Sequence, residues 1–240
     1  MNVEFAELSY RFRPWKPGLG RVFKLSYSFD CETTLIEKER HWEMPHYVLG
    51  AAFDGTEGYF VRREHLAAFW RVHAHIPIVF HNAAFDLAVI QALVPKDDVY
   101  KQVDDGLVWD TYLLHRLYHL ATSGHTAGRE GEATLEACAH FHLRIELQKD
   151  VTDADGNPIR TSYGLWLGKL PSEMPLKYLE YLAKDAIATR KVYKRLRKRI
   201  ERVLDASRGE WGYVSDDWFQ KCQRRWGRSP TTSSCARRSC

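Results

Sequence analysis

Residues 25–34, LSYSFDCETT, decide how the rest of the chain is interpreted. Their apolar side chains at 25, 27 and 29 alternate with smaller or polar ones, which is the period of a β-strand. Asp30 and Glu32 follow two positions apart, and such side chains point to the same side of an extended chain. The two carboxylates repel each other unless a cation lies between them, and Mg²⁺ or Mn²⁺ prefers oxygen ligands. For this pair alone, a solvated acidic turn is the alternative interpretation.

The length and composition are typical of a soluble globular protein. The 240 residues, 45% hydrophobic and 28% charged, suffice for a large core. No apolar run is long enough to span a membrane, and the first residues lack the basic and apolar parts of a signal peptide. The five cysteines form no CxxC pattern, so we expect neither a disulfide framework nor a zinc site. A cytoplasmic location fits this cysteine usage best.

The charge is distributed unevenly along the chain. The net charge is +4, yet residues 190–240 carry 15 Lys and Arg against 5 Asp and Glu, so the preceding part is acidic. An acidic body with a basic end suits a protein that holds metal ions and contacts phosphates. The basic helix predicted at 190–202 suits nucleic-acid backbone contacts and simple solvation equally well.

The N-terminal part predicts strands preceded by an irregular arm. Residues 1–21 are basic and contain Pro14, Pro17, Gly18 and Gly20, which predict an irregular arm. Segments 47–53 and 58–61 read as two more strands around the turn at 54–57. Three successive strands without an intervening helix favour an antiparallel meander.

A second polar group follows a short apolar strand at 76–80. The sequence HNAAFD at 81–86 predicts a helix that begins near Asn82, with Asn82 and Asp86 on one face close to its N-terminus. In open α/β sheets, ligands usually bind where a strand leads into a helix. Asp110 or Thr111 similarly begins a later helix. Within that helix His115 and His119 have metal-binding spacing, but without a third ligand we interpret them as surface histidines. The pairs at 73/75 and 140/142 have the same interpretation.

A third polar group lies in the last helix, predicted from Leu176 to about Leu204. Tyr181 and Asp185 are four apart there and share a face, although a core tyrosine and a solvated aspartate would give the same pattern. The preceding stretch 148–172 has no clear period and is expected to be a loop or short helices over the site. Residues 207–240 are expected to be a partly disordered extension. The composition of the end of this extension is also typical of a truncated or frameshifted reading.

The three acidic groups indicate a shared cleft. Four carboxylates, from Asp30, Glu32, Asp86 and Asp185, would need cations to coexist in it, and two divalent ions form a clamp for displacement at phosphorus. One ion would lower the pKa of a bound water and so make it the attacking nucleophile, and the other would stabilise the leaving oxygen. Tyr181 could orient the attacking water.

Three motifs in this order resemble the DEDD exonuclease superfamily: D-x-E at 30–32, H-N-x-x-F-D at 81–86 and Y-x-x-x-D at 181–185. The tyrosine is typical of the DEDDy branch, which includes the proofreading domains of family A DNA polymerases and RNase D-like enzymes. The resemblance implies an α/β, RNase H-like fold with a mixed five-stranded sheet flanked by helices. It implies a single exonuclease domain over residues 22–206, between the N-terminal arm at 1–21 and the extension at 207–240.

The resemblance also implies roles for individual residues. Asp30, Glu32 and Asp185 would hold the first of two Mg²⁺ ions, for which Mn²⁺ would substitute. Asp30 would bridge to the second ion, with Asp86 acting directly or through water, and Tyr181 would position the nucleophile. The resemblance further implies that the terminal nucleotide is contacted by three residues: Thr33, Ile36 and Asn82.

The implied activity is a two-metal-ion 3′–5′ exonuclease that hydrolyses single-stranded DNA ends to nucleoside monophosphates. A proofreading-like role with a DNA polymerase domain or subunit as partner belongs to this expectation. An RNase D-like 3′–5′ exoribonuclease is the first alternative, because no motif here is specific for the 2′-hydroxyl. A non-catalytic nucleic-acid-binding or polymerase-docking domain is the second.

Overall fold

A single mixed sheet with helices on both faces forms the fold. The computed structural model describes residues 1–36, 39, 43–125, 127 and 131–210, with side chains as far as residue 205. The strands are β1 (Asn2–Phe5), β2 (Leu8–Pro14), β3 (Tyr27–Thr33), β4 (Tyr47–Phe53), β5 (Glu57–Arg62), β6 (Ile78–Phe80) and β7 (Val108–Asp110). The helices are α1 (Leu66–Val72), α2 (Ala83–Ile90), α3 (Lys96–Asp104), α4 (Thr111–Ser123), α5 (Leu135–Leu143) and α6 (Leu176–Glu210).

The sheet confirms the predicted α/β architecture and extends it. Within the described residues its strand order is β1-β2-β5-β4-β3-β6-β7. β3, β4 and β5 form the expected antiparallel meander, and β6 and β7 add in parallel beside β3. The five predicted strands are therefore present, and β1 and β2 raise the number to seven.

The prediction of an irregular N-terminal arm is wrong. β1 and β2 pair antiparallel, and β2 continues the sheet by parallel pairing with β5. Val3, Phe5 and Phe12 are buried, and the Phe12 ring fills the place that a Cβ atom at Gly58 of β5 would occupy. Burial of these apolar side chains stabilises the pairing despite the prolines and glycines that follow.

Alternation along β3 separates two layers of core. Tyr27 and Phe29 pack with helices α1 to α3 on one face of the sheet. Ser28 points to the other face, where its hydroxyl donates to the Ala186 carbonyl of α6 over 2.7 Å. Helices α4, α5 and α6 form the layer on that second face. Because Asp30 and Glu32 have the parity of Ser28, they also face α6.

Helix α6 begins where predicted and runs to Glu210, six residues beyond the predicted end. Part of its basic character is structural, because Arg190 is buried and donates to the Ser26 hydroxyl over 2.7 Å and to the Asp54 carbonyl. The connection before it contains short 3₁₀ turns at Ile159–Thr161, Tyr163–Trp166 and Pro171–Glu173, as expected for 148–172. Residues 211–240, to which most of the predicted extension belongs, lie outside the described residues.

The histidine predictions are only partly right. His73, His115 and His142 are buried rather than on the helix surface. His115 Nδ1 lies 2.8 Å from His142 Nε2, and Arg199 lies 2.9 Å from His142 Nδ1. Among the described residues, none of these histidines belongs to a group that could hold a metal ion.

Candidate active site

The predicted acidic residues line one cavity of about 670 Å³. The cavity lies beside the second half of β3, between the first turns of α2 and α4 and the buried side of α6. Residues before and at the start of α5, together with Lys149 and Arg160 between α5 and α6, complete its wall. The strand end that leads into α2 is therefore at the cavity, as the sequence indicated.

Three carboxylates from two elements meet in this cavity. Asp30 and Glu32 of β3 and Asp185 of α6 each offer a carboxylate oxygen, and these oxygens lie within 4.8 Å of one another. Below, this trio is called the acidic cluster. The extended backbone points the first two side chains the same way, and α6 crosses that face of the sheet with Asp185 opposite them. Residues 155 positions apart in the sequence are thereby brought together.

Asp86 lies at the edge of the acidic cluster. Its side chain is 4% exposed, and its Oδ1 accepts a hydrogen bond from the Cys31 backbone N–H over 3.2 Å. Burial raises the pKa of Asp86 to about 7, although the hydrogen bonds from Cys31 favour its charged form. Asp86 thus lines the same cavity without belonging to the trio of oxygens within 4.8 Å.

Electrostatics in the acidic cluster favour binding of a divalent cation. Burial is the main cause that raises the pKa of Asp30, of Glu32 and of Asp185, and repulsion from Asp185 raises the first two further. A cation relieves both costs, because it replaces lost hydration and lies between like charges. The donors are all carboxylate oxygens, the ligands that Mg²⁺ and Mn²⁺ prefer. The residues therefore fit the predicted metal.

Tyr181 lies one helical turn before Asp185 and is buried. Burial raises the pKa of its hydroxyl well above the usual value of 10, so the group is a neutral hydrogen-bond donor at pH 7. Its ring lies 4.8 Å from the Lys149 ammonium. Tyr181 and Asp185 both line the cavity.

Asp110 holds the first turns of two helices at the cavity. Its carboxylate accepts from the backbone N–H of Asn82 and of Ala83, each over 3.0 Å, and from that of Tyr112 over 2.9 Å. Asn82 has the left-handed φ of 68° that this turn into α2 requires. The sequence predicted Asp110 or Thr111 as the cap of α4, and the structure shows that Asp110 is the cap; its bonds to the start of α2 were not predicted. Burial raises its pKa to about 6.

The predicted substrate-binding residues lie in different places. Thr33 and Asn82 line the cavity, whereas Ile36 is 50% exposed and is not among the lining residues. Two basic lining residues, Lys149 and Arg160, were missed by the sequence analysis. Lys149 donates to Asp185 Oδ2 over 2.5 Å. The sequence held one signal for it: Lys149 takes the place of an apolar residue in the alternation of Ile145, Leu147 and Val151.

Comparisons with known proteins support this architecture. The sequence model of the RNase_H superfamily matches residues 27–197. Brucella melitensis NrnC with bound Mg²⁺ is similar in structure, with 16% identity, coverage of 91% of this chain and 90% of that one, and a TM-score of 0.56. The Aedes aegypti Nibbler EXO domain has 12% identity, coverage of 83% and 85%, and a TM-score of 0.54.

A third similar structure is the complex of Trypanosoma brucei RNase D with GMP. It shares 13% identity, with coverage of 91% of this chain and 63% of that one and a TM-score of 0.53. Identities this low establish similarity of fold alone. No curated protein sequence matches the chain. In the part of the chain that the structure describes, no helix has both the length and the apolar character needed to cross a membrane.

Proposed function

Because the chain belongs to the RNase H superfamily and has its predicted RNase H-like fold, we propose that it is a metal-dependent 3′–5′ exonuclease. The observation that carries the proposal is the acidic cluster, in which Asp30, Glu32 and Asp185 bring oxygens within 4.8 Å of one another. A purely binding domain would gain nothing from directing several carboxylates at a phosphate chain. In a nuclease, the same carboxylates hold the ions that make phosphate attack feasible.

In this proposal, each residue that lines the cavity near the acidic cluster has a separate role. Asp30, Glu32 and Asp185 hold a divalent ion, and Asp86 assists directly or through a water molecule. Bound metal supplies an activated water and stabilises the charge of the leaving oxygen. Tyr181, neutral and beside Asp185, donates a hydrogen bond that orients the attacking water. The number of ions, two in the expected mechanism, is part of the proposal.

The substrate in this proposal is the 3′ end of a single strand. A cavity of about 670 Å³ has a volume suited to a ligand the size of a nucleotide. Thr33 and Asn82 border it and are proposed to contact the terminal nucleotide. In the similar structures NrnC carries Mg²⁺ and RNase D carries GMP, and both ligands agree with this role. Ile36, outside the lining, stays a sequence prediction.

Both DNA and RNA are candidate substrates, and the test below compares their cleavage. The sequence favoured DNA ends by resemblance to polymerase proofreading domains, whereas one of the similar structures is an RNase D. The proofreading role, the polymerase partner and the cytoplasmic location stay predictions.

The direct test measures shortening of 5′-labelled strands. DNA and RNA of one sequence are incubated with the full chain and Mg²⁺, Mn²⁺ or EDTA. We expect a ladder shortened from the 3′ end with nucleoside monophosphate products, and no shortening with EDTA. Asp30→Asn should abolish the ladder, whereas Asp97→Asn, at an exposed position on α3, should not. Shortening that persists in Asp30→Asn would refute the proposal, and metal-dependent stabilisation without any hydrolysis would favour a binding domain.

A further inference from the structure

The acidic cluster contacts a cation that belongs to the chain itself. The Lys149 ammonium donates to Asp185 Oδ2 over 2.5 Å, and the two side chains are only 15% and 12% exposed. The same ammonium lies over the ring of Tyr181, at 4.8 Å from its centroid. Lys149 therefore contacts both functional residues of α6.

The position of Lys149 follows from an extended segment. Between residues 145 and 151, even-numbered positions are exposed and odd-numbered ones are half-buried. Ile145, Leu147 and Val151 pack against the core, and Lys149 occupies the inward position between the last two. A lysine at an inward position of an otherwise apolar series needs a partner, and Asp185 is that partner.

Contacts with α6 hold this segment in place. The Tyr178 hydroxyl donates to Asp153 Oδ2 over 3.0 Å, and the Lys177 ammonium donates to the Thr152 carbonyl over 3.2 Å. The helix that carries Asp185 thus also anchors the segment that carries Lys149. The Lys149 side chain itself lines the cavity of about 670 Å³. That cavity gives the ammonium room to move without unfolding the segment.

A side-chain cation and a divalent ion compete for the same oxygens. Burial lowers the pKa of Lys149, but the charge of Asp185 and its hydrogen bond to the ammonium outweigh it and raise the pKa above its usual value. Lys149 also favours the charged forms of Asp30 and Glu32. A divalent ion at the acidic cluster needs Asp185 and is repelled by the ammonium beside it.

We propose that Lys149 is a positioning residue that acts as an internal counter-ion of the acidic cluster. It holds Asp185 and Tyr181 in place before metal binds, and it gives up Asp185 Oδ2 to the incoming ion. This inference rests on the proposed function only in that the ion binds at the acidic cluster. Its consequence is a trade-off, because the residue stabilises the metal-free protein and weakens metal binding.

The test measures Mn²⁺ binding without any nucleic acid. Free Mn²⁺ is counted by electron paramagnetic resonance in titrations of the full chain and its variants. We expect Lys149→Met to lower the Kd for Mn²⁺ about tenfold, because one positive charge next to the ion is removed. Lys149→Arg keeps the charge and should stay within about twofold of the unchanged protein. Lys169→Met removes an exposed lysine from the same connection and should leave the Kd unchanged.

Thermal unfolding supplies a second readout that a merely structural lysine would not produce. The Tm of Lys149→Met without metal should fall, whereas the increase in Tm on adding Mn²⁺ should become larger. If Lys149→Met does not fold, Lys149→Gln, which is neutral and similar in length, takes its place. A Kd for Mn²⁺ that is unchanged or higher in the folded neutral variant would overturn the inference.

The two proposals fail in distinguishable ways. If the unchanged protein binds Mn²⁺ but hydrolyses no strand, the exonuclease proposal fails, while the tighter binding of Lys149→Met still supports the counter-ion. If hydrolysis occurs and the neutral variants bind Mn²⁺ no more tightly, only the counter-ion is overturned. Absence of Mn²⁺ binding in every variant, the unchanged protein included, overturns both.

Discussion

The face of the sheet that α4, α5 and α6 cover carries two groups of buried or half-buried ionisable side chains, and they differ in how their hydrogen bonds are satisfied. In the histidine group (His115, His142 and Arg199), Arg199 donates to His142 Nδ1 over 2.9 Å and His142 Nε2 lies 2.8 Å from His115 Nδ1. Burial lowers the pKa of His115 to about 4 and that of His142 to about 3, so both rings are neutral. A chain of N–H donors and ring-nitrogen acceptors is complete without any added ion.

The acidic cluster is not complete in this sense. Asp185 has Lys149 as a partner, whereas Asp30 and Glu32 have no side-chain hydrogen bond or ion pair within the described residues. Burial costs desolvation free energy in both groups, but only in the histidine group do hydrogen bonds between its own members offset that cost. Incomplete satisfaction, rather than burial or charge alone, therefore distinguishes the proposed ligand site from a buried group that is only structural. Four experiments test this contrast between the two groups.

The largest effect is expected from Glu32→Gln. Loss of a proposed metal ligand should reduce hydrolysis about 10³-fold or more. The same change should raise the Tm of the metal-free protein by about 2–4 °C, because about 1 kcal/mol of repulsion is relieved. Strand shortening and thermal unfolding in EDTA provide the two measurements, with the exposed Glu7→Gln as control. A variant that keeps its activity would show that the acidic cluster is not the metal site.

A smaller loss is expected for Tyr181→Phe. Without the hydroxyl the attacking water is less well oriented, so kcat should fall about 10–100-fold. The Kd for Mn²⁺ should change less than about twofold, because no carboxylate is removed. Tyr10→Phe, on the distant strand β2, serves as the matched control. A large change in metal affinity would instead assign Tyr181 to the metal site.

Asp86, at the edge of the acidic cluster, and the histidine group should affect the pH dependence of stability in opposite directions. Burial raises the pKa of Asp86 to about 7, so the folded protein binds more protons than the unfolded chain above the usual value of 3.8. Stability is therefore lost as the pH rises through 7. The neutral histidines lose stability only as the pH falls below their unfolded pKa of 6.5.

Between pH 6.5 and 8 only the carboxylates should act, and the Tm of the metal-free protein should decrease by a few degrees. Saturating Mg²⁺ should remove this decrease, because the ion binds the deprotonated form. Asp86→Asn should reduce it without metal. Calorimetric scans at fixed ionic strength measure these shifts, and a Tm that rises across this range would contradict the assignment.

The smallest effect on hydrolysis is expected from the histidine group. His142→Ala should leave kcat within about twofold while lowering the free energy of unfolding by about 1–3 kcal/mol, because Arg199 and His115 lose a buried partner. Its loss of stability below pH 6.5 should also be shallower. Strand shortening and urea unfolding check both statements. A large loss of hydrolysis would mean that the histidine group takes part in the reaction.

The parts of the fold that could be predicted are those whose signal is local. Alternation along β3 and the apolar stripe of α6 depend only on neighbouring residues, and both elements form as expected. The β1–β2 hairpin was missed because its parallel pairing with β5 joins Phe12 to Gly58, a contact that no local pattern shows. Likewise, spacing alone could not show that His115 is buried against a histidine 27 residues away.

The candidate site shows the same limit. Asp30, Glu32 and Asp185 could be named because each lies in a short motif on a recognisable element, and the structure brings them together. Asp110 could be predicted as the cap of its own helix, but its bonds to Asn82 and Ala83 depend on the adjacency of β6 and β7. Lys149 lies in a segment without a helix or strand, where the alternation of 145–151 could indicate an inward side chain but not its partner Asp185.

The carboxylate of Asp110 has a mechanical consequence for how a strand could enter. Because one side chain is hydrogen-bonded to the first turns of both α2 and α4, these two helices should move together as one rigid wall of the cavity. The opposite wall includes residues from the segment 144–175, in which the helices are 3₁₀ helices of at most four residues. If a strand enters the cavity, we therefore expect any adjustment to come from residues 144–175, between their anchoring contacts with α6, rather than from α2 and α4.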